Sequence, residues 1–310
     1  MKTSMKFLLP VLIVLVLIAW SLWTPDRDRA ALESKYLAAP GDLLMIGGVR
    51  LHIRDSGPRG APAVLLLHGF GSSLHTWDAW SADLSRDLRV IRIDLPGSGL
   101  SSPDPTGRYT DARTIELIIG LLDRLEVAKI SLVGNSIGGR IAWTFAGTQP
   151  QRTERLVLIS PDGFASPGFA YGQSAEVPMS VQLMRFTLPK WLLRMSLAPA
   201  YADPSTLTDA LTERHHALML GPGSRNAMIA RMQQTVLEDP LPVLRQITAP
   251  TMVLWGKQDG MIPFANAADY LQAIAKSTLV SLDGIGHVPQ EEAPERSLIP
   301  VRAFLLETIH

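Results

Sequence analysis

The chain has 310 residues, with 29 basic and 29 acidic side chains that leave no formal net charge. This argues against a nucleic-acid binder, which needs a basic surplus to neutralise phosphates. Cysteine is absent, which excludes disulfides, thiolate nucleophiles, iron–sulfur clusters and cysteine-zinc sites, while an apolar content of 46% excludes global disorder.

The first element is apolar throughout. Phe7 to Trp23 reads FLLPVLIVLVLIAWSLW, with no charge between Lys6 and Asp26. As a helix these residues would reach about 26 Å, just enough to cross a hydrocarbon core. Trp20 and Trp23 stand at the far end, where amphipathic rings favour a membrane interface. Residues 1–24 are therefore expected to form a single-pass signal anchor, with the main domain on the extracytoplasmic (periplasmic) side. The alternative is a cleaved signal peptide and a secreted protein, since Ala19 and Ser21 supply small residues near a cleavage point. A buried globular helix is a third reading, but a run apolar all round would need a core on every side. Residues 25–42, with Pro25, Pro40 and Gly41, read as a tether.

From residue 43 short apolar runs alternate with helical patterns. Met45–Arg54 suggests an antiparallel edge hairpin through Gly47-Gly48. Ala63–Leu67, Val90–Ile93, Ile130–Val133, Leu156–Ile159, Met252–Trp255 and Thr278–Leu282 are candidate strands. Continuous apolar runs of this kind suit parallel strands covered on both faces. Helices are expected at about 76–86, 111–125, 138–149 and 290–308, and the alternation predicts an α/β fold with a mostly parallel sheet. Residues 161–245 break the rhythm: they are helical, rich in Met and Leu, and without a strand signal, as in VQLMRF, KWLLRMSL and MIARMQQTV. They are expected to form a helical cap between two core segments, 43–160 and 246–310.

Ser136 lies in Gly134-Asn135-Ser136-Ile137-Gly138-Gly139, between the strand ISLV and a helical run. A serine hydroxyl is an effective nucleophile only beside a base, and a tight strand-to-helix turn projects it out of the sheet, with glycines where the backbone passes closely. By itself G-x-S-x-G is a weak signal. Its partners strengthen it: Asp259 in WGKQDGMIP and His287 in GIGHVPQEE each follow a strand, at the sheet end where open α/β folds place their sites. His287 would take the Ser136 proton and Asp259 would orient the imidazole. Asp162, after the strand LVLIS, is the rival acid; Asp283 and Glu291 are poorer ones. The turn His68-Gly69-Phe70-Gly71 exposes the Phe70 N–H, which with the Ile137 N–H would form an oxyanion hole. Structural roles are expected for Asp94 and its glycines and for His68 as a brace, while His52, His75, His215, His216 and His310 read as surface or satisfied histidines.

HGFGSS at 68–73, DLPGSG at 94–99, GNSIGG at 134–139, QDGMIP at 258–263 and GHVPQEE at 286–292 stand in one order. With them the chain resembles the α/β-hydrolase superfamily, in its serine esterase/lipase-like branch, from about residue 43 to the end. The resemblance implies the α/β-hydrolase fold: a mostly parallel central sheet flanked by helices, with a helical cap inserted after strand six. It also implies a Ser-His-Asp hydrolase needing no cofactor and no metal. The GNSIGG elbow is also similar to that of meta-cleavage-product C–C hydrolases, though Val288 stands where those usually have Trp. From that resemblance Asn135 and a cap arginine, Arg225 in GSRNAMIARMQ, are expected to be substrate contacts. The expected function is hydrolysis of a small-molecule carboxylic ester with a hydrophobic moiety through an acyl-enzyme on Ser136. The alternatives are C–C bond hydrolysis, or a binding or receptor protein that keeps the triad with negligible turnover. Expected partners are the ester and the membrane, through the N-terminal segment, and no nucleic acid.

Overall fold

The computed structural model describes Pro10 and residues 20–165, 170–174 and 176–307. Its centre is one eight-stranded sheet in the order β1-β2-β4-β3-β5-β6-β7-β8. The strands are β1 (Leu43–Ile46), β2 (Val49–Ser56), β3 (Ala63–Leu67), β4 (Arg89–Ile93), β5 (Ile130–Asn135), β6 (Thr153–Ile159), β7 (Thr251–Gly256) and β8 (Ser277–Leu282). β1 and β2 form the edge hairpin, and β2 runs antiparallel to β4; every later pairing is parallel. Gly47 and Gly48 both hold positive φ in the hairpin turn, the backbone that a two-residue type I′ connection needs.

The apolar runs are explained by burial on both sides. Leu65, Leu67, Ile91, Leu132 and Leu158 pack into one core, while their neighbours Val64, Leu66, Val90, Val133 and Val157 pack into the other. The first core is closed by α3 (Asp111–Arg124) and α4 (Ile137–Thr148). The second is closed by Trp77 and Trp80, whose rings lie 5.4 Å apart, at the start of α2 (Asp78–Leu84), and by α12 (Pro294–Leu306), which follows the one-turn α11 (Pro289–Glu292). Thr110 caps α3 by accepting from the Arg113 N–H, and Asp111 follows in the first turn, where the helix dipole favours a carboxylate.

Between β6 and β7 the chain forms the expected cap: α5 (Met179–Gln182), α6 (Lys190–Leu197), α7 (Asp209–Met219), α8 (Ser224–Gln234) and α9 (Leu241–Leu244). The expected tether carries a helix of its own, α1 (Arg29–Tyr36), capped by Asp28. Leu32 and Tyr36 of α1 are buried with Leu100, Ala217 and Leu218, so this stretch is docked on the body. Arg27 pairs with Glu213 at 2.7 Å, and Asp26 with Arg225 at 2.7 Å. Most of Phe7–Trp23 lies outside the described residues. Among the described residues no helix is long and apolar enough to cross a membrane.

Candidate active site

The turn from β5 into α4 holds Ser136 at φ 57°, ψ −122°, a backbone that a serine adopts only when its surroundings impose it. The Ser136 N–H donates to Ile159, and its carbonyl accepts from the N–H groups of Arg140 and Asp162. Gly138 lets this turn pass beneath β3: a methyl group there would come within 2.3 Å of the Leu67 carbonyl oxygen. The serine side chain is thereby set at the sheet's C-terminal end, on the wall of a cavity of about 310 Å³.

His287 is on the same wall, delivered by the loop after β8. Its Nδ1 faces Asp259 Oδ2 at 2.8 Å, leaving Nε2 as the free ring nitrogen. The other Asp259 oxygen accepts from the Met261 and Ile262 N–H groups at 2.8 and 2.9 Å. Burial by itself would push the Asp259 carboxyl up, but the His287 contact and these two amides outweigh it and hold the group below the usual carboxylate range. Ser136 Oγ makes no hydrogen bond within the chain among the described residues, so serine and imidazole share a cavity without being locked together. Such contacts often tighten only with substrate.

Phe70 and Ile137 line the cavity too. Ile137 is the first residue of α4, so its N–H has no intrahelical acceptor. The loop carrying Phe70 lies against the elbow: a Cβ on Gly69 would stand 3.2 Å from the Ser136 Cβ. His68 braces that loop, its Nδ1 donating to the Gly69 carbonyl and its Nε2 accepting from the Leu95 N–H. Burial pushes the His68 imidazole down, consistent with a neutral ring that both donates and accepts. Asp94 accepts from the Leu74 and Leu100 N–H groups and from His52, a structural hub. Asp162 does not meet His287; it is paired with Arg140.

Two expected substrate contacts are placed elsewhere. Asn135 is buried, its Nδ2 donating to the carbonyls of Ile159 and His287 (3.2 and 2.9 Å) and its Oδ1 accepting from Gln290. It ties the histidine loop to the elbow instead of facing a substrate, because the last β5 side chain points into the molecule. Arg225 is also buried but lies outside this cavity, bound to Asp26 and the Met184 carbonyl. The cap arginine at the cavity is Arg231. Six residues on, it sits about 240° round the same helix. It donates to the Tyr109 carbonyl at 3.1 Å and has no carboxylate in contact among the described residues. Burial pulls its guanidinium down to about 10. Arg140, four residues after the nucleophile, lines the cavity beside it and is shared by Asp111 and Asp162. Asp162 and Thr235 also line the wall, and its remaining side chains, Met232, Met261 and Ile262, are apolar.

The sheet order, the strained serine turn and the His287–Asp259 pair stand together with a family model for the alpha/beta hydrolase fold, which matches residues 62–294. The chain belongs to the alpha/beta-hydrolase family. A 2-hydroxymuconate semialdehyde hydrolase of Pseudomonas putida is 31% identical over 278 residues, covering 86% of this chain and 94% of its own. The enol-lactonase of Burkholderia xenovorans LB400 is similar in structure at a TM-score of 0.73, with 26% identity, 86% of this chain and 100% of the lactonase covered. A membrane phospholipase A shares the fold at a TM-score of 0.73 over 98% of each chain, with 24% identity.

For this alpha/beta hydrolase the site holds an alcohol, an imidazole backed by a carboxylate, the residues Phe70 and Ile137, whose N–H groups make no hydrogen bond among the described residues, and a buried cation around one mostly apolar cavity. Such a set can take a proton from the alcohol and stabilise a developing oxyanion. Among the described residues no group of three or more His, Cys, Asp or Glu could hold a metal ion.

The cap holds the histidine loop from outside. The His287 N–H donates to the Ala200 carbonyl at 2.7 Å. Glu291 accepts from Tyr201 at 2.7 Å and from Arg214 at 2.8 Å, and faces His215 at 3.4 Å. Burial would raise the Glu291 carboxyl; the charge and hydrogen bond of His215, the Arg214 charge and the Tyr201 hydroxyl outweigh it and bring it down to about 2.

Proposed function

We propose that this alpha/beta hydrolase cleaves a carboxylic ester bearing a hydrophobic moiety, by way of an acyl-enzyme on Ser136. Ser136 Oγ attacks the acyl carbonyl while His287 Nε2 accepts its proton; the Phe70 and Ile137 N–H groups receive the oxyanion. His287 then returns the proton to the departing alkoxide, and the alcohol leaves. Water, deprotonated by His287, attacks the acyl-enzyme; the acid is released and Ser136 is restored. Asp259 holds the imidazole's tautomer and balances its charge throughout. The observation that carries this reading is the cavity wall shared by Ser136 and His287, with Asp259 bonded behind the imidazole.

The N-terminal apolar segment is proposed to remain as a membrane anchor, with the catalytic body outside the cytoplasm. The charge-free run Phe7–Trp23 and its terminal tryptophans support this.

Turnover of an ester panel by the full-length protein and by Ser136→Ala tests the chemistry. The expected loss in kcat is at least ~10³-fold, the scale of removing a triad nucleophile; equal rates would overturn the mechanism. One observation favours a second reading. Arg231 is a buried cation on the cavity without a carboxylate partner, and would suit a substrate carrying its own carboxylate, as ring-fission dienoates do. Rapid bleaching of a coloured dienoate with little turnover of p-nitrophenyl esters would select C–C hydrolysis over ester cleavage.

A further inference from the structure

The outer face of the cap is apolar at helical spacing. Met179, Leu183 and Phe186 follow one another at i, i+4 and i+7, a single stripe along α5 and the turn after it, and all three are exposed. In α6, Leu193 is buried and Leu197 packs with it in the cap's own core. Trp191 and Met195, one turn apart on the other side, are 61% and 63% exposed. A helix apolar on both faces needs a second apolar environment. Large side chains gathered into one exposed patch differ from the scattered apolar residues of an ordinary surface.

The uncharged run Phe7–Trp23 ends on this face. The Trp23 ring stacks on Phe186 at 6.1 Å, the Thr24 N–H donates to the Phe186 carbonyl, and Thr187 Oγ1 donates to the Leu22 carbonyl. Residues 179–197 carry Arg185, Lys190 and Arg194 and no acidic residue. Lys190 and Arg194 reach to Glu213 and Asp209 of α7, so these charges stand at the rim of the patch.

We propose that the outer face of the cap, centred on Phe186, Trp191 and Met195, is a docking surface for a lipid bilayer. It rests on the anchored-esterase reading above and deepens it by making the bilayer the source of the hydrophobic ester. The apolar stripe lies among acyl chains, the tryptophans sit at the interface, and the ion-paired rim stays in the headgroup layer. The same surface is continuous with the place where the anchor enters the body, so anchor and cap face one membrane.

The test uses the full-length protein in vesicles of phosphatidylcholine with a minority of phosphatidylglycerol. Fluorescence is quenched by phosphatidylcholine brominated on its acyl chains, and wild type is compared with Trp191→Phe. Because Trp191 is one of seven tryptophans, the difference between the two chains isolates its signal. The expected result is a quenched component present in wild type and missing from the variant; identical quenching of both overturns the proposal. In a second arm, Trp191→Glu with Met195→Glu is expected to keep turnover of a soluble p-nitrophenyl ester and to lose at least ~10-fold on a glyceride embedded in the vesicles, as follows from withdrawing two apolar side chains from the bilayer. Unchanged rates on the embedded ester overturn the proposal. Sedimentation showing that this double substitution converts a dimer into a monomer, with Trp191 shielded from bromine, assigns the face to a second copy and likewise overturns it. Failure of the esterase reading shows separately, as no turnover of soluble ester by either chain, and the fluorescence arm still decides docking.

Discussion

Asp259 is bonded on both oxygens, to two backbone amides on one side and to His287 on the other. Asp259→Asn keeps the volume but presents an N–H where the imidazole needs an acceptor, so the ring is held in the wrong tautomer. The expected loss is on the order of 10⁴-fold in kcat, the effect of this exchange in serine proteases, with the melting temperature little changed; steady-state kinetics beside a thermal melt checks it. The meeting of Ser136, Asp259 and His287 at one end of the sheet was legible in the sequence because each follows an apolar strand within a glycine-marked turn. Arg231 was not. A helix periodicity tells which residues share a face but not which face meets a cavity, and in GSRNAMIARMQ the expected arginine, Arg225, six residues earlier, is bound to Asp26 instead. Asn135 misled for a similar reason: its position before the nucleophile puts its Cα in the site, whereas its side chain belongs to the opposite side of the strand end.

The elements that bear the site are rigid where they must be and joined where the cap comes down. Gly138→Ala would drive a methyl into the Leu67 and His68 carbonyls at 2.3 and 2.6 Å, both at the end of the strand that leads to Phe70. Backbone cannot yield as a flexible side chain does. The expected outcome is a loss of a few kcal/mol, read as a depressed melting temperature together with lost ester turnover. The cap contact is pH-sensitive in a defined direction. Glu291 has a folded-state pKa of about 2, below its ordinary 4.5, so its contribution is complete above about 4.5 and is lost as pH falls toward 2. Tyr201, Arg214 and His215 face it from the cap, and Asp78 lies 3.9 Å from Arg214. Glu291→Gln is expected to lower the melting temperature at neutral pH and to flatten its fall between pH 4.5 and 2; melts across that range show whether the slope persists. The strands were readable because burial on both faces leaves nothing but apolar residues. α1 and α10 (Ala267–Ala273) were missed, being short, with few side chains buried in each and polar residues between them.

At the scale of the whole molecule, the mostly parallel sheet, the helical insertion after strand six and the family were accessible from motifs in sequence, whereas the order of the strands came only from their pairing. The attachment of residues 20–37 to the cap was not, since it depends on single ion pairs and backbone contacts between segments almost two hundred positions apart. The proposed topology gives a further expectation: a reporter fused after residue 310 is active when it requires an extracytoplasmic location and silent when it requires the cytoplasm. The opposite pattern would reverse the orientation of the anchor.

The docking of residues 24–37 has a mechanical consequence. A free leash of 19 residues, 24–42, could stretch to more than about 60 Å and would let the catalytic body swivel at any height. Here the slack is taken up at its first links, by Thr24 on Phe186 and Leu188, Asp26 on Arg225 and Arg27 on Glu213. The distance and angle between the exit of the apolar segment and the mouth above Ser136 are thus set by the fold, as in a hinged arm with its joint pinned.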